Sequence, residues 1–87
     1  MKIKSEYILR NTAGTWIAMA VKPDNSNVDG VLTLNESGVL LWKAIASGCE
    51  TEDLVRVLTK EYEIDAAQAS EDVNAFVAKL QKLGCLI

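Results

Sequence analysis

The first third of the chain shows the apolar and polar pattern of short β-strands. Residues 6–11 (EYILRN) and 15–21 (TWIAMAV) are rich in β-branched and aromatic side chains. They flank the segment Thr12-Ala13-Gly14, and such a short loop with glycine is typical of a β-hairpin. Residues 22–27 are rich in turn formers and contain a proline, so the second strand ends before them. A third strand over residues 28–34 completes a predicted meander in the order 1-2-3.

Apolar residues then recur at helical spacing through the remaining two thirds of the chain. A first helix is predicted over residues 36–47, with Asn35 as a strong N-cap and Gly48 as the C-terminal breaker. A second helix is predicted over residues 52–62, with Thr51 as its N-cap. Both helices carry an apolar stripe. Trp42 of the first is interpreted as a core anchor, with a place in the lining of a peptide groove as the alternative.

A third helix is predicted over residues 66–83. It starts from Asp65, with Gln68 three residues on as a variant of the capping box, and it ends at Gly84. The last residues, 85–87, are apolar and are expected to form a short strand or to dock as a tail. The fold class is therefore α+β: a single domain, residues 1–87, with a winged-helix-like arrangement of a three-stranded antiparallel sheet followed by three helices.

The second and third strands differ in a way that points to function. The second strand is apolar on both faces, which suits a central strand and places the third strand at an edge. Edge strands normally carry proline, lysine or another charged residue, which discourages pairing with other chains, but residues 30–34 contain none of these. The third strand is therefore predicted to be an open template for another chain. The second apolar face of strand 2 must also be covered, by a partner, by a second copy or by the C-terminal tail.

Composition narrows the class of protein further. The chain has 87 residues, 49% of them apolar, a formal net charge of -3 and a pI of about 4.8. An acidic domain with dispersed cations repels nucleic-acid phosphate and anionic lipid. The longest apolar run, residues 16–21, is far too short for a membrane span, and the N-terminus lacks the apolar segment of a signal peptide. The sequence predicts a cytoplasmic protein with no nucleic-acid and no membrane partner.

DNA binding has to be weighed because three strands and three helices resemble a winged-helix protein. A recognition helix normally carries several Arg or Lys side chains. The third helix instead presents Glu71 and Asp72, with Lys79 and Lys82 only near its end. DNA binding therefore ranks as a remote alternative.

No reaction centre is apparent in the sequence. The chain has no histidine, the five glycines are scattered, and the adjacent acidic pairs point about 100° apart on their helices. Ser37 lies in the first turn of a helix and is best explained by capping. Cys49 and Cys85 are interpreted as small, semi-buried apolar residues, with a disulfide or redox switch as the alternative. The prediction is no enzyme, no catalytic residue, no metal and no cofactor.

At this point the chain resembles the pyrroloquinoline-quinone biosynthesis protein D family (PqqD-like domains), also called the RiPP recognition element. The similarity covers nearly the full length, and its specificity comes from the joint order of mainly packing and capping residues. These are Leu32-Thr33-Leu34-Asn35-Glu36-Ser37-Gly38 with Leu41-Trp42, then Asp53-Leu54-Val55, Leu58, Tyr62-Glu63-Ile64-Asp65, Ala69, Asp72-Val73, Phe76, Leu80 and Leu83-Gly84-Cys85-Leu86-Ile87.

The resemblance implies a non-catalytic peptide chaperone for natural-product biosynthesis. Such domains bind the leader segment of a ribosomally made precursor peptide and present it to a modifying enzyme, often of the radical S-adenosylmethionine type. The leader pairs antiparallel with the third strand and lies against the third helix. On this chain the expected peptide-binding residues are Asp29, Gly30, Val31, Leu32, Thr33, Leu34, Asp72, Phe76, Lys79 and Leu83.

Strand alternation separates the roles within the third strand. Leu32 and Leu34 are expected to join the core, with Val31 and Thr33 on the other face. On the third helix, Val73, Val77 and Leu80 are expected to face the core, and Phe76 and Leu83 are candidates for the groove. Lys79 and Lys82 are equally compatible with acidic leader residues and with plain solvation. The rival hypothesis is a structural subunit that uses the apolar face of strand 2 to form a homodimer or to dock on an enzyme.

Overall fold

The computed structural model describes residues 1–20 and 31–87. The predicted turn at residues 22–27 lies outside the described residues, as do the predicted ends of strands 2 and 3 at Val21 and residues 28–30. Two of the candidate peptide-binding residues, Asp29 and Gly30, therefore also lie outside them.

Three antiparallel strands form one sheet in the predicted order. They are β1 (Tyr7–Thr12), β2 (Thr15–Ala20) and β3 (Val31–Leu34), with β2 in the centre. β1 begins and ends one residue later than predicted. Its end moves because the turn uses two residues instead of three. Ala13 and Gly14 both adopt positive φ, 52° and 83°, so Thr12 remains in the ladder opposite Thr15.

The three predicted helices are present as α1 (Glu36–Ala46), α2 (Thr51–Tyr62) and α3 (Ala66–Leu83). One capping prediction is wrong: Thr51 is the first helical residue of α2, and Glu50 is the N-cap. The Glu50 N–H donates to a carboxylate oxygen of Asp53 at 2.9 Å. This contact satisfies a backbone donor that has no helical partner, so the helix begins one residue earlier than the sequence suggests.

The start of α3 is as predicted in one respect and different in another. The Asp65 side chain accepts a hydrogen bond from the Gln68 N–H at 2.8 Å, which confirms Asp65 as the N-cap. The Gln68 side chain does not complete a capping box; its Nε2 donates to Asp72 at 2.9 Å instead. Gly84 ends the helix in the left-handed conformation at φ 83°.

The core lies between one face of the sheet and the three helices. Leu34 is buried and Leu32 partly buried, whereas Val31 and Thr33 are exposed, which confirms the predicted alternation. Trp42 is only 4% exposed, so its interpretation as a core anchor is also confirmed. The buried residues that form the core come from the sheet, from all three helices and from the C-terminal tail: Ala18, Leu34, Val39, Leu41, Trp42, Ile45, Leu54, Leu58, Ala69, Val73, Phe76, Leu80 and Cys85.

The C-terminal tail pairs with the N-terminal segment. Ile3 and Leu86 form an antiparallel bridge, the Lys4 N–H donates to the Cys85 carbonyl at 2.8 Å, and the Ile87 N–H donates to the Lys2 carbonyl at 3.0 Å. This is the short terminal strand that the sequence left as one of two options. The tail thereby pairs with the N-terminal segment and not with β3.

Two further observations concern the described residues. Cys49 and Cys85 are both free thiols, Cys85 fully buried and Cys49 partly buried, as the apolar interpretation predicts. No helix in the part of the chain that the structure describes is long and apolar enough to cross a membrane.

Candidate functional site

β3 has one free edge within the described residues. The strand pairs with β2 only, in the register Trp16↔Leu34 to Met19↔Val31. Every second residue of an edge strand turns its N–H and C=O away from its neighbour, so these groups are available to another chain. None of the four residues of β3 is charged or proline. The edge therefore has neither of the usual blocks to strand pairing.

A groove runs beside this edge, between β3 and α3. We call it the strand groove; its volume is about 330 Å³. One wall is β3 and the other is Phe76 and Lys79 of α3. Its lining residues are Leu32, Thr33, Leu34, Asn35, Phe76 and Lys79. A chain that paired with β3 would place alternate side chains against these residues.

A wider cavity, which we call the helical cavity, continues from the strand groove among the three helices. Its volume is about 500 Å³. It shares Asn35, Phe76 and Lys79 with the strand groove, so the two form one continuous depression. The lining is mainly apolar with a polar rim: Asn35, Ser37, Gly38, Leu41, Leu58, Tyr62, Ile64, Asp72, Ala75, Phe76 and Lys79.

The junction between β3 and α1 fixes the position of the strand relative to the helix where the two cavities meet. The Asn35 Oδ1 accepts hydrogen bonds from the Gly38 N–H at 2.9 Å and from the Ser37 Oγ at 3.0 Å, so the helix starts directly after the strand. A Cβ on Gly38 would lie 3.2 Å from that Oδ1 and 3.3 Å from the Leu34 Cβ. Glycine therefore allows the first turn of α1 to pack closely on the end of β3.

The charges at the site are few and separated. Asp72 lines the helical cavity and accepts the hydrogen bond from Gln68. Lys79 lines both cavities and is the only cation among the described residues that do so. Loss of hydration raises the pKa of the Tyr62 phenol, and the neighbouring carboxylates Glu36 and Glu61 raise it further. Tyr62 is therefore a neutral hydroxyl at physiological pH.

Five of the predicted site residues come together in the strand groove: Leu32, Thr33, Leu34, Phe76 and Lys79. Phe76 is 9% exposed and belongs to the core while it also forms the wall shared by both cavities. Their contact with a peptide remains a prediction.

The other predicted residues lie elsewhere. Val31 is 54% exposed and points away from the groove, and Asp72 lines only the helical cavity. Leu83 lines neither cavity: it packs partly buried against the core, and its carbonyl oxygen accepts a hydrogen bond from the Tyr7 hydroxyl at 3.2 Å. Of the two lysines weighed together, Lys79 lines the site and Lys82 does not.

Sequence reasoning did not assign the α1 and α2 side of the helical cavity. The residues concerned are Asn35, Ser37, Gly38, Leu41, Leu58, Tyr62 and Ile64, with Ala75 on α3. One signal was available, because Tyr62 ends the apolar stripe of α2 and an aromatic side chain at a helix end is poorly covered by its own helix. Its 38% exposure reflects this. In the sequence, the remaining residues cannot be distinguished from ordinary capping or core positions.

The fold and the groove define a small winged-helix-like α+β domain with an open strand edge. The family profile described as "Coenzyme PQQ synthesis protein D (PqqD)" matches residues 6–86. The chain belongs to this family. Among curated proteins, no sequence matches it significantly.

Two solved structures share the fold over nearly the whole chain. One is TbiB1 in complex with the TbiA(beta) leader peptide, with a TM-score of 0.78 and 19% identity over 99% of this chain and 94% of that chain. The other is a lasso peptide synthetase B1 complexed with the leader peptide, with a TM-score of 0.75 and 21% identity over 97% of this chain and 93% of that one. At this identity the likeness shows a common fold.

Proposed function

We propose that this domain binds the leader segment of a ribosomally made precursor peptide by strand addition at β3 and presents it to a modifying enzyme. The observation that carries the proposal is the edge of β3, which no described residue pairs with and which carries no charge over Val31–Leu34, beside a groove that combines apolar side chains with Thr33, Asn35 and Lys79. Both structural relatives are complexes with leader peptides, which supports the same use of the fold here.

The direction of the bound peptide follows from antiparallel pairing. β3 runs from Val31 to Leu34, and the helical cavity lies at its C-terminal end beside Asn35. A peptide that runs antiparallel has its N-terminal part at this end and leaves the domain beside Val31. The helical cavity would therefore receive an apolar side chain from the N-terminal part of the leader. The segment to be modified would leave from the opposite end.

Backbone pairing alone is too weak to explain useful affinity. In a four-residue strand, two residues direct their N–H and C=O groups to the free edge. They offer four hydrogen bonds, worth about 1 kcal/mol each. A total of about 4 kcal/mol corresponds to a dissociation constant near 1 mM. Micromolar binding needs about 4 kcal/mol more, which sets a lower bound of about 160 Å² of buried apolar surface, since association and ordering of the peptide also cost free energy. The strand groove and the helical cavity offer apolar walls for this contribution, so they set the specificity.

The domain contributes positioning and the chemistry belongs to a partner. The partner that best fits the family is a radical S-adenosylmethionine enzyme, which would take its substrate from this domain. The domain itself needs no cofactor for this role, and we place it in the cytoplasm, where the precursor is made.

The decisive experiment is a titration of the ¹⁵N-labelled domain with the leader peptide encoded beside its gene. The expected amide shifts are in residues 31–34 and along Asp72, Phe76 and Lys79 of α3, with β1 unaffected. Light scattering on the same sample measures the oligomeric state. Absence of binding, shifts confined to β1, or an obligate dimer that covers β3 would overturn the proposal.

A further inference from the structure

The face of the sheet opposite the helices carries a row of apolar side chains beside polar ones. Strand alternation and the register place eight described residues on this outer face: Ile8, Arg10, Thr12, Thr15, Ile17, Met19, Val31 and Thr33. Ile8, Met19 and Val31 lie side by side in one row across all three strands. Ile8 is 38% and Val31 is 54% exposed. They are two of the four large apolar side chains that the described part of the chain exposes.

Arg10 gives this surface a charge that a twin copy does not complement. It occupies the next row, with Ile17 and Thr33, and among the described residues of the outer face there is no carboxylate. A twofold dimer pairs a surface with itself. Face-to-face pairing of two copies would therefore cover Arg10 without a counter-charge, which is costly.

The size of the outer face also argues against a dimer. The described strands, about 4.8 Å apart and four to six residues long, have a flat footprint of roughly 250 Å², and their accessible surface is only moderately larger. A stable symmetric interface needs about 800 Å² from each partner. The occupant must therefore be a different protein with a carboxylate opposite Arg10, and it must find additional contact area beside this face.

The bound leader supplies that area. A strand added to β3 makes the sheet four-stranded, so the outer face gains one more strand. By alternation, leader residues opposite Leu32 and Leu34 point towards the groove, and those opposite Val31 and Thr33 point outwards. A protein on the outer face would then contact the domain and the leader together, which is what an enzyme that acts on the precursor requires.

We infer that the outer face, completed by the leader strand, is the docking surface for the modifying enzyme. The inference rests on the proposed leader binding at β3. On this inference the domain contacts the leader residues that face the groove, and the enzyme contacts the leader residues on the outer face of the sheet. Because the enzyme contacts both components, leader and enzyme must increase each other's affinity for the domain by the same factor.

The test is to substitute Ile8, which lies on β1, the strand farthest from the proposed leader site. The probes are the leader peptide and the modifying enzyme encoded beside this chain's gene. Ile8→Glu should weaken enzyme binding about tenfold or more, the typical loss for an interface anchor, and leave leader affinity within about twofold. Ile87→Glu is the matched control, because Ile87 is 79% exposed and lies outside the outer face. It should change neither affinity.

A second variant tests the charge. Arg10→Glu should weaken enzyme binding and lower its sensitivity to salt, since it removes an attraction to a carboxylate on the enzyme. Wild-type enzyme affinity in Ile8→Glu, or enzyme affinity that is the same with and without saturating leader, would overturn the inference. Failure of the wild-type domain to bind leader would instead overturn the proposed function. Leader affinity therefore distinguishes the two failures, and it also shows that each variant is folded.

Discussion

The two edge strands of the sheet, β1 and β3, have the same backbone groups but differ in their charge and in the side chains beside them. β1 has six residues, and among them the exposed Arg10 is the kind of charge that discourages pairing at an edge. Its first residue, Tyr7, is tied by its hydroxyl to the carbonyl of Leu83. β3 carries no charge and has an apolar groove beside it. The difference teaches that a free edge becomes a specific site only where side-chain pockets accompany it.

The largest expected effect is on backbone pairing at β3. Leu32→Pro or Thr33→Pro should abolish leader binding, because proline removes an N–H from the strand. Isothermal titration calorimetry measures the loss. Circular dichroism must show that the domain is still folded, since a disrupted sheet would also fail to bind.

A leader with N-methylated backbone positions makes the same test without changing the domain. Affinity should fall about 100-fold at every second position of the pairing segment and stay close to normal between them. A uniform response along the leader would mean that it does not bind as a strand. This would remove the functional distinction between the two edges.

The next effect concerns Phe76, the wall shared by the two cavities. Phe76→Ala should reduce the free energy of unfolding by about 3 kcal/mol and weaken leader binding as well. Val73→Ala is the matched control on the same helix, because Val73 is fully buried in the core and lines neither cavity. It should lose about 2 kcal/mol of stability and keep its leader affinity. Equal losses of affinity in both variants would show that Phe76 acts through stability alone.

A smaller effect is expected from the lysines of α3. Lys79→Glu should change leader affinity about threefold to tenfold, and the change should shrink in high salt. Lys82→Glu, at a position that is also exposed but outside both cavities, should stay within about twofold. Calorimetry at two salt concentrations separates the two lysines, which the sequence alone leaves equivalent. Identical behaviour would place the leader away from Lys79.

The smallest effect is expected on the reactivity of the cysteine thiols, at the end of the molecule where the two termini pair. Burial raises the pKa of the Cys85 thiol above its ordinary value of 9.0, so this thiol stays protonated and unreactive in the folded domain. With Ellman's reagent at pH 8, Cys49 should react first and Cys85 only after denaturation. Leader binding should leave Cys85 protected, because the terminal pairing is separate from β3. Rapid reaction of Cys85 in the folded domain would contradict the packing at this end.

The raised pKa of the Cys85 thiol also predicts how the free energy of unfolding changes with pH. The raised pKa means that the folded domain holds the proton more tightly than the unfolded chain. The stabilisation is therefore complete below pH 9 and is lost as the pH rises above it, when the unfolded thiol ionises first. Urea unfolding at pH 8 and pH 10 should show lower stability at the higher pH. Since the pKa values of Cys49, Tyr7 and Tyr62 are raised as well, the part due to Cys85 is the part that a Cys85→Ala variant no longer shows. Greater stability at pH 10 would contradict the assignment.

Local signals predicted most of the fold. Strand alternation identified Leu32 and Leu34 as the inward residues of β3, and the caps Asn35 and Asp65 marked the starts of α1 and α3. Where the local signal was ambiguous, the boundary moved by one residue, as at Glu50. Caps and alternation depend on contacts within a few residues, and for that reason they can be recognised in a sequence.

What the sequence alone determined is the order and type of the elements, the uncharged edge strand and the lack of a histidine for general base chemistry. Only the tertiary structure decided which flank of α3 faces β3. It brought Phe76 and Lys79 to Leu32, placed Leu83 with Tyr7, and opened the helical cavity beside Tyr62. Periodicity identifies the apolar stripe of a helix, but the rotation of that helix on the sheet follows from how distant side chains fill the core together.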